Sequence, residues 1–385
     1  MAHEFDQVVD RRGFHSKKWG RYGEDVLPMW VADMDFRSPE PVRLALRQVA
    51  DRGIYGYGLE PPGLRELIVE RLSRLYAWHV SPEDIVFMSG VVPGLNLTCR
   101  ALTSPGDGLL LQTPVYQRIL HLPEHAGREP HQMELTREAN GRYHVDADAF
   151  EAAITDRTRL FILCNPHNPT GRVFRRQELM QMAEVCLRHN IIICSDEIHC
   201  DLVFSGHEHV PIASLGAEIA DHTITFMAPT KTYNLAGVHC GFAVIQNGQM
   251  RMRFLAAGRD LVREPGVMGY AAALAAYHDG QSWLDALLRY LEDNRDVLVR
   301  YVGEHLPGVD MVKPEATYLA WLDCRGAGIP GDPGEYLLSE AKVALNDGTR
   351  YGRGGEGFVR LNFGCPRSIL VEALEMIESA LVKLA

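Results

Sequence analysis

The sequence has no surplus of positive charge: 39 lysines and arginines stand against 50 aspartates and glutamates, a net charge of -11. That is the wrong sign for tracking a nucleic-acid backbone or an anionic lipid surface. No apolar stretch approaches the ~20 residues that cross a bilayer, and the opening MAHEFDQVVDRRGFHSKKWG lacks the hydrophobic core of a secretory leader. Together these lead us to expect a cytoplasmic protein without nucleic-acid or membrane partners. The 8 cysteines form no zinc-like pairs. Cys164, Cys186, Cys194 and Cys200 lie nearest one another, several in strand-like runs such as IIICSDE, so buried free thiols are expected rather than a disulfide framework. There is no GxGxxG, which argues against a dinucleotide site, and no repeat or low-complexity tract. The histidine pairs in HLPEH and GHEHV lack a third ligand at useful spacing, so we expect exposed loop histidines and no metal.

What is present is the composition of a globular protein, 46% hydrophobic and 23% charged. At 385 residues the chain exceeds the ~250–300 at which single cores stop growing, so two lobes are expected. SPEPVRLALRQVADRG has helical spacing, with Ser38 as N-cap and Pro39 just inside. A Gly/Tyr/Pro loop, GIYGYGLEPPG, leads into a second helix from Leu64 to about Trp78. Then short apolar runs, DIVFMSG, GLLLQTP, RLFILCNP, NIIICSDE and TITFMAP, alternate with helical segments such as QELMQMAEVCLRHN. This predicts an α/β fold with a mostly parallel sheet covered on both faces. From about Ser282 longer helices and the short strands ATYLAWLDC and GFVRLNF suggest a smaller α+β lobe. We therefore divide the chain into an N-terminal segment, 1–45, contributing to the small lobe, a large lobe, 46–282, and a C-terminal lobe, 283–385.

In open α/β sheets ligands gather outside the carboxyl ends of the strands, and four runs end there in suggestive groups. FMSGVVPGLN places Ser89 and Gly90 before a helix start whose unpaired N–H groups suit a phosphate, although Gly at such a turn is more often only a turn. LCNPHNPTGRV has two Asn-Pro pairs that hold an extended loop and can aim Asn168 across the strand ends. Asp196 in IIICSDEIHCDL follows a continuous apolar run, where an unpaired carboxylate is costly; an arginine partner in the core is the plain alternative. His199, three residues on, can face the same pocket or merely pack. Lys231 in TITFMAPTKTYNLAG stands just past a buried strand, where desolvation lowers an amine's pKa and lets it attack a carbonyl. A phosphate cradle, an asparagine, a buried aspartate and a strand-end lysine are together what pyridoxal phosphate requires. The aspartate keeps the ring nitrogen protonated, so that the ring acts as an electron sink.

With these residues in view, the sequence resembles the fold-type I pyridoxal phosphate enzymes, and among them the MalY/PatB group of cystathionine β-lyases. KWGRYGEDVLPMWVADMDF, IYGYG, SGVVPGLN, TPVYQ, CNPHNPTGRV, SDEIHCDLVF, KTYNLAG, EATYLAWLDCR and GFVRLNFGCPRS carry the resemblance over nearly the whole chain. It implies that Lys231 is the Schiff-base lysine, Asp196 the partner of the pyridine nitrogen, and Asn168 a donor to the ring's phenolic oxygen. Tyr116 corresponds to the aromatic that stacks on the ring, Gly90, Val91 and Val92 to phosphate contacts, and Arg360 to the arginine that grips the substrate carboxylate together with Asn168. Tyr57, or alternatively Tyr55, corresponds to a tyrosine reaching the phosphate of a neighbouring subunit, which implies a homodimer with shared sites. Many aminotransferases have tyrosine where this chain has His199, arginine where it has His239, and serine where it has Ala228, leaving Thr230 as the nearby hydroxyl. These departures favour a β-eliminating C–S lyase acting on cystathionine or a related S-substituted cysteine, with Lys231 as base and Tyr116 or Lys231 protonating the sulfur. An aminotransferase, or a branch acting on a specialised S-cysteinyl conjugate by elimination, decarboxylation or oxidative deamination, is the alternative. A cofactor-binding regulator lacks a helix-turn-helix here, and a nicotinamide dehydrogenase lacks its fingerprint.

Overall fold

Each of the five apolar runs is a strand because it is short, mostly apolar, and able to bury side chains on both sides. A computed structural model describes residues 4–384. Its large sheet contains β1 (Ile85–Met88), β2 (Gly108–Thr113), β3 (Glu129–Glu134), β4 (Thr158–Cys164), β5 (Ile192–Asp196), β6 (Thr223–Met227) and β7 (Gly241–Val244), in the spatial order β1-β7-β6-β5-β4-β2-β3. All neighbours pair in parallel except β7, which runs antiparallel to both β1 and β6. Six strands therefore point their carboxyl ends to one edge.

Alternation along the strands splits the core into two layers. Leu109, Leu111, Leu160 and Ile162 face one side, where they meet Leu95 and Cys99 of the helix that follows β1. Leu110, Phe161 and Leu163 face the other, against Leu179 and Met182. Helix α1 spans Glu40–Arg52, α2 Leu64–Tyr76, α3 Val91–Leu102 and α4 Arg176–Arg188. Gly94 lets α3 lie directly on the sheet, because a methyl group there would overlap the Phe226 ring and the Met88 sulfur. Ser38 does not cap α1: Pro39 is the N-cap, and the Ser38 hydroxyl instead donates to the Asn234 carbonyl at 3.1 Å. Helix α2 stops at Tyr76 rather than near Trp78, since Ala77 turns into the left-handed region at φ 50.

Beyond α5 (Val267–Asp279), the long α6 (Gln281–His305) and the closing α7 (Arg367–Leu381) pack on a second sheet. Its strands β8 (Asp310–Met311), β9 (Leu319–Asp323), β10 (Asn346–Asp347) and β11 (Phe358–Asn362) lie in the order β8-β9-β11-β10, all antiparallel. The N-terminal segment joins this part of the molecule, for Leu27–Pro28 pairs in parallel with Val343–Ala344. The outermost residues of the expected terminal segments, 1–3 and 385, lie outside the described residues.

Candidate active site

The strand ends, the N-terminal segment and β11 meet around a cavity of about 550 Å³. Gly90, Val91, Val92, Tyr116, Asn168, Asp196, His199, Lys231 and Arg360 all line it. Tyr57 and Thr230 do not line it; Tyr57 is fully exposed and Tyr55 is 62% exposed, its hydroxyl on the Ala50 carbonyl.

Asp196 ends β5 with its backbone in register with Phe226 of β6 and Cys164 of β4. Its carboxylate accepts the Ile198 N–H at 3.2 Å, and among the described residues no basic side chain forms an ion pair with it. Burial accordingly pushes its pKa up to about 6, against the pull of the Ile198 N–H and the Lys231 charge. The plain alternative of an arginine partner in the core is thus not realised.

Lys231 sits in the single turn Pro229–Thr232 just after β6. Its Nζ donates to the Ala32 carbonyl at 2.6 Å, an oxygen that also accepts the Tyr318 hydroxyl at 3.0 Å. Burial, helped by the Arg360 charge and opposed by Asp33 and Asp196, lowers the amine to about 8. A substantial neutral fraction therefore exists near neutral pH, as a nucleophilic or proton-accepting amine needs.

Arg360 stands in the middle of β11, paired across to Trp321 and Asn346. Its Nη1 donates to Asn168 Oδ1 at 3.0 Å and its Nη2 to the Trp30 carbonyl at 2.7 Å, while Nε has no partner among the described atoms. The guanidinium stacks over Tyr351 at 5.4 Å. His199 packs edge-on against Tyr318 with ring centroids 6.0 Å apart, and its Nδ1 is buried without a partner. Burial, with Lys231 and Arg360 adding to it, drives that imidazole down to about 3, so it is neutral. Tyr116 precedes the turn Gln117–Leu120; burial raises its phenol, while Arg360 and Arg118 pull it down. On the same cavity Gly90 caps α3, leaving the first-turn N–H groups of Val91 and Val92 without a preceding helical turn.

The sequence pattern of the aminotransferase class I and II family matches residues 24–377. The chain belongs to that family. Within it the relatives are of the MalY/PatB kind: it is 40% identical over 385 residues to cystathionine β-lyase PatB of Bacillus subtilis, covering 98% of this chain and 99% of that protein. Among solved structures, a PLP-bound putative aminotransferase from Clostridium difficile superposes with a TM-score of 0.95 at 38% identity, covering 99% of this chain and 100% of that one. The PLP-bound C-S lyase from Staphylococcus hominis gives 0.92 at 31%, covering 98% and 99%. The architecture is accordingly the fold-type I arrangement expected from the motifs.

For this aminotransferase-family chain, motif reading missed the N-terminal segment's role. Trp30, Val31 and Ala32 line the cavity and act through backbone carbonyls, which carry no residue-type signal. Three asparagines hold that segment: Asn346 donates to the Trp30 carbonyl, Asn362 to those of Val31 and Asp33, and Asn234 to those of Met34 and Phe36. Lys17 and Arg118 at the cavity were missed as well. His209 is a correction. It is not an exposed loop histidine but is 4% exposed, its Nε2 set 2.8 Å from Glu197 Oε2, because the acid beside Asp196 is itself fully buried and needs a partner. All eight cysteines are free and buried, as expected. Among the described residues no cluster of three or more His, Cys, Asp or Glu could hold a metal, and no helix is long and apolar enough to cross a membrane.

Proposed function

We propose that the chain is a pyridoxal-phosphate-dependent C–S β-lyase that converts cystathionine or another S-substituted L-cysteine to a thiol, pyruvate and ammonia. The observation that carries it is the placement of Asp196 and Lys231 at the ends of adjacent parallel strands, on one cavity that also holds Arg360. The donor set suits the cofactor. A buried carboxylate without a cation matches a protonated ring nitrogen, a buried amine with a lowered pKa matches an aldehyde, and the start of α3 matches a phosphate. Asp196, Lys231, Tyr116, Asn168 and the Gly90–Val92 backbone would hold the cofactor. Bound there, it supplies an electron sink for the bond broken at the substrate's Cα.

The chain's own groups supply the rest. Arg360 binds the substrate's α-carboxylate through its planar fork, and its hydrogen bond to Asn168 fixes that fork's plane. Lys231 Nζ takes the proton from Cα, its amine kept available by burial. The Tyr116 hydroxyl, flanked by Arg118 and Arg360, or the newly protonated Lys231, gives a proton to the departing sulfur. Trp30–Ala32 and Ile198 form part of the wall around these groups.

The same reading includes a homodimer in which Tyr57 or Tyr55 reaches the neighbour's phosphate. Their exposure, beside the exposed Ile54 and Leu59, supports it. It also includes a cytoplasmic location, supported by eight unpaired thiols, and the lobe division 1–45, 46–282 and 283–385, supported by the pairing of Leu27–Pro28 with Val343–Ala344.

The test is to incubate the purified protein with L-cystathionine and measure pyruvate, ammonia and free thiol without a keto acid. Thiol and pyruvate in equal amounts are expected, and Lys231→Ala should lower the rate by at least about 10³-fold, since it removes both base and covalent anchor. Turnover only when an amino acceptor is added would make the chain an aminotransferase instead.

A further inference from the structure

The Ala32 carbonyl holds two hydrogen-bond donors at once. It accepts Lys231 Nζ at 2.6 Å and the Tyr318 hydroxyl at 3.0 Å, as an oxygen with two lone pairs can. That oxygen is fixed in place, because Asn362 Nδ2 donates to the carbonyls of Val31 and Asp33 on either side of it. Tyr318 reaches it from the neighbouring strand: it precedes β9, whose first residue Leu319 lies in register with Asn362 of β11. Its side chain is buried, with the ring edge-on against His199. Burial, with Asp33 adding to it and Arg360 opposing, holds the phenol above its ordinary pKa, so the hydroxyl stays a donor throughout the neutral range.

The reaction proposed above asks Lys231 to let go of that carbonyl. Its amine joins the cofactor's aldehyde carbon, forming the C=N bond while the aldehyde oxygen departs as water with the amine's two protons, and only the neutral amine has the electron pair to do so. An ammonium gains more from a carbonyl acceptor than a neutral amine does, so the Ala32 oxygen favours the charged form. The Tyr318 hydroxyl draws on the same oxygen and weakens its hold on the lysine. It also remains as the carbonyl's donor after the amine has left, so the departure does not strip that acceptor of its partners.

Resting on the assignment of Lys231 as the cofactor lysine, we propose that Tyr318 is a positioning residue that shares the Ala32 carbonyl with Lys231 and so loosens the amine for capture of the cofactor. The charged and titratable groups that face the amine are Asp33 of the N-terminal segment, Asp196 at the end of β5, His199 just beyond it and Arg360 on β11. Tyr318→Phe alters none of them and keeps the ring against His199.

The experiment follows uptake of pyridoxal phosphate by the full-length apoprotein, by stopped-flow absorbance from pH 6 to 10. In the unaltered chain the rate should rise to a break at about 8. In Tyr318→Phe the Ala32 oxygen belongs to the ammonium alone, so the break should move up by about half a unit. Uptake at pH 7 then slows about threefold, while the plateau above the break is unchanged. A merely structural role lowers the rate at every pH and leaves the break where it was; that result overturns the inference, as does a break that stays put at full rate or moves to lower pH. Tyr318→Leu, which removes the ring as well as the hydroxyl, should shift the break as far as the Phe variant does. A shift seen only in the Leu variant assigns the effect to the ring and overturns the inference too. Capture that survives in Lys231→Ala strikes the assignment of the cofactor lysine itself, and this inference with it.

Discussion

Asp35 and Asp196 are almost equally hidden, at 4% and 5% exposure, yet their surroundings are opposite. Asp35, in the N-terminal segment, receives Lys18 Nζ at 2.6 Å, Arg11 Nη1 at 2.6 Å and Trp19 Nε1 at 2.8 Å. Burial alone would raise its pKa, but Lys18 and Arg11 together hold it below the usual carboxylate value. Asp196, at the sheet edge, receives one backbone N–H and no cation, and burial carries it up to about 6. A saturated buried carboxylate fixes structure; a starved one facing a cavity is prepared for a cation from outside the chain.

The contrast predicts that the two residues fail differently. Asp35→Ala leaves the fully buried Lys18 with only Asp33 at 4.0 Å, while Arg11 keeps its pair with Asp33, and breaking such a network from one side costs about 3–5 kcal/mol. Urea unfolding should show that loss, and a change below about 1 kcal/mol would mean that the two aspartates are not different in kind. Asp196→Asn should do the reverse in cofactor-free protein. Because its folded pKa lies above the unfolded value, Asp196 costs nothing below about pH 4 and its penalty grows as pH rises through 6, to at most about 3 kcal/mol. The Asn variant keeps an acceptor for the Ile198 N–H, so it should match the unaltered apoprotein at pH 4 and exceed it in stability at pH 7, while binding the cofactor more weakly. Equal unfolding midpoints at both pH values would remove the claim that Asp196 is unsatisfied.

This difference also marks how much of the site the sequence made legible. Asp196, Lys231, Asn168 and Gly90 could be found because each follows an apolar run, which fixes both a strand and the edge where its polar successor must emerge. Strand β7 was not anticipated, since Gly241–Val244 is only four residues long and reverses direction. Strand β3, EPHQME, is polar and contains Pro130, as an edge strand can. The segment from Trp30 to Phe36 stands out in the sequence only as part of a motif, because it serves the site through carbonyl oxygens. Lys18 likewise gives no sign, within KKWG, that one of two adjacent lysines is fully buried while the other is exposed.

The smallest effect links the starved aspartate to its neighbour. Only a neutral Lys231 can capture an aldehyde, so the rate at which apoprotein takes up pyridoxal phosphate should rise about tenfold per pH unit below 8 and level off above it. An ordinary exposed lysine would place that break above pH 10. Asp33 and, after it, Asp196 are the charges holding the amine's pKa up, against burial and Arg360. Asp196→Asn should therefore shift the break to lower pH, by a fraction of a unit, while Asp35→Asn, whose acid is neutralised by its own cations, should leave it in place. Stopped-flow absorbance over pH 6 to 10 measures all three proteins. A break that moves with Asp35 and not with Asp196 would mean that the negative charge sensed by Lys231 comes from the N-terminal segment alone, Asp33 included, and that the sheet-edge carboxylate does not share its field.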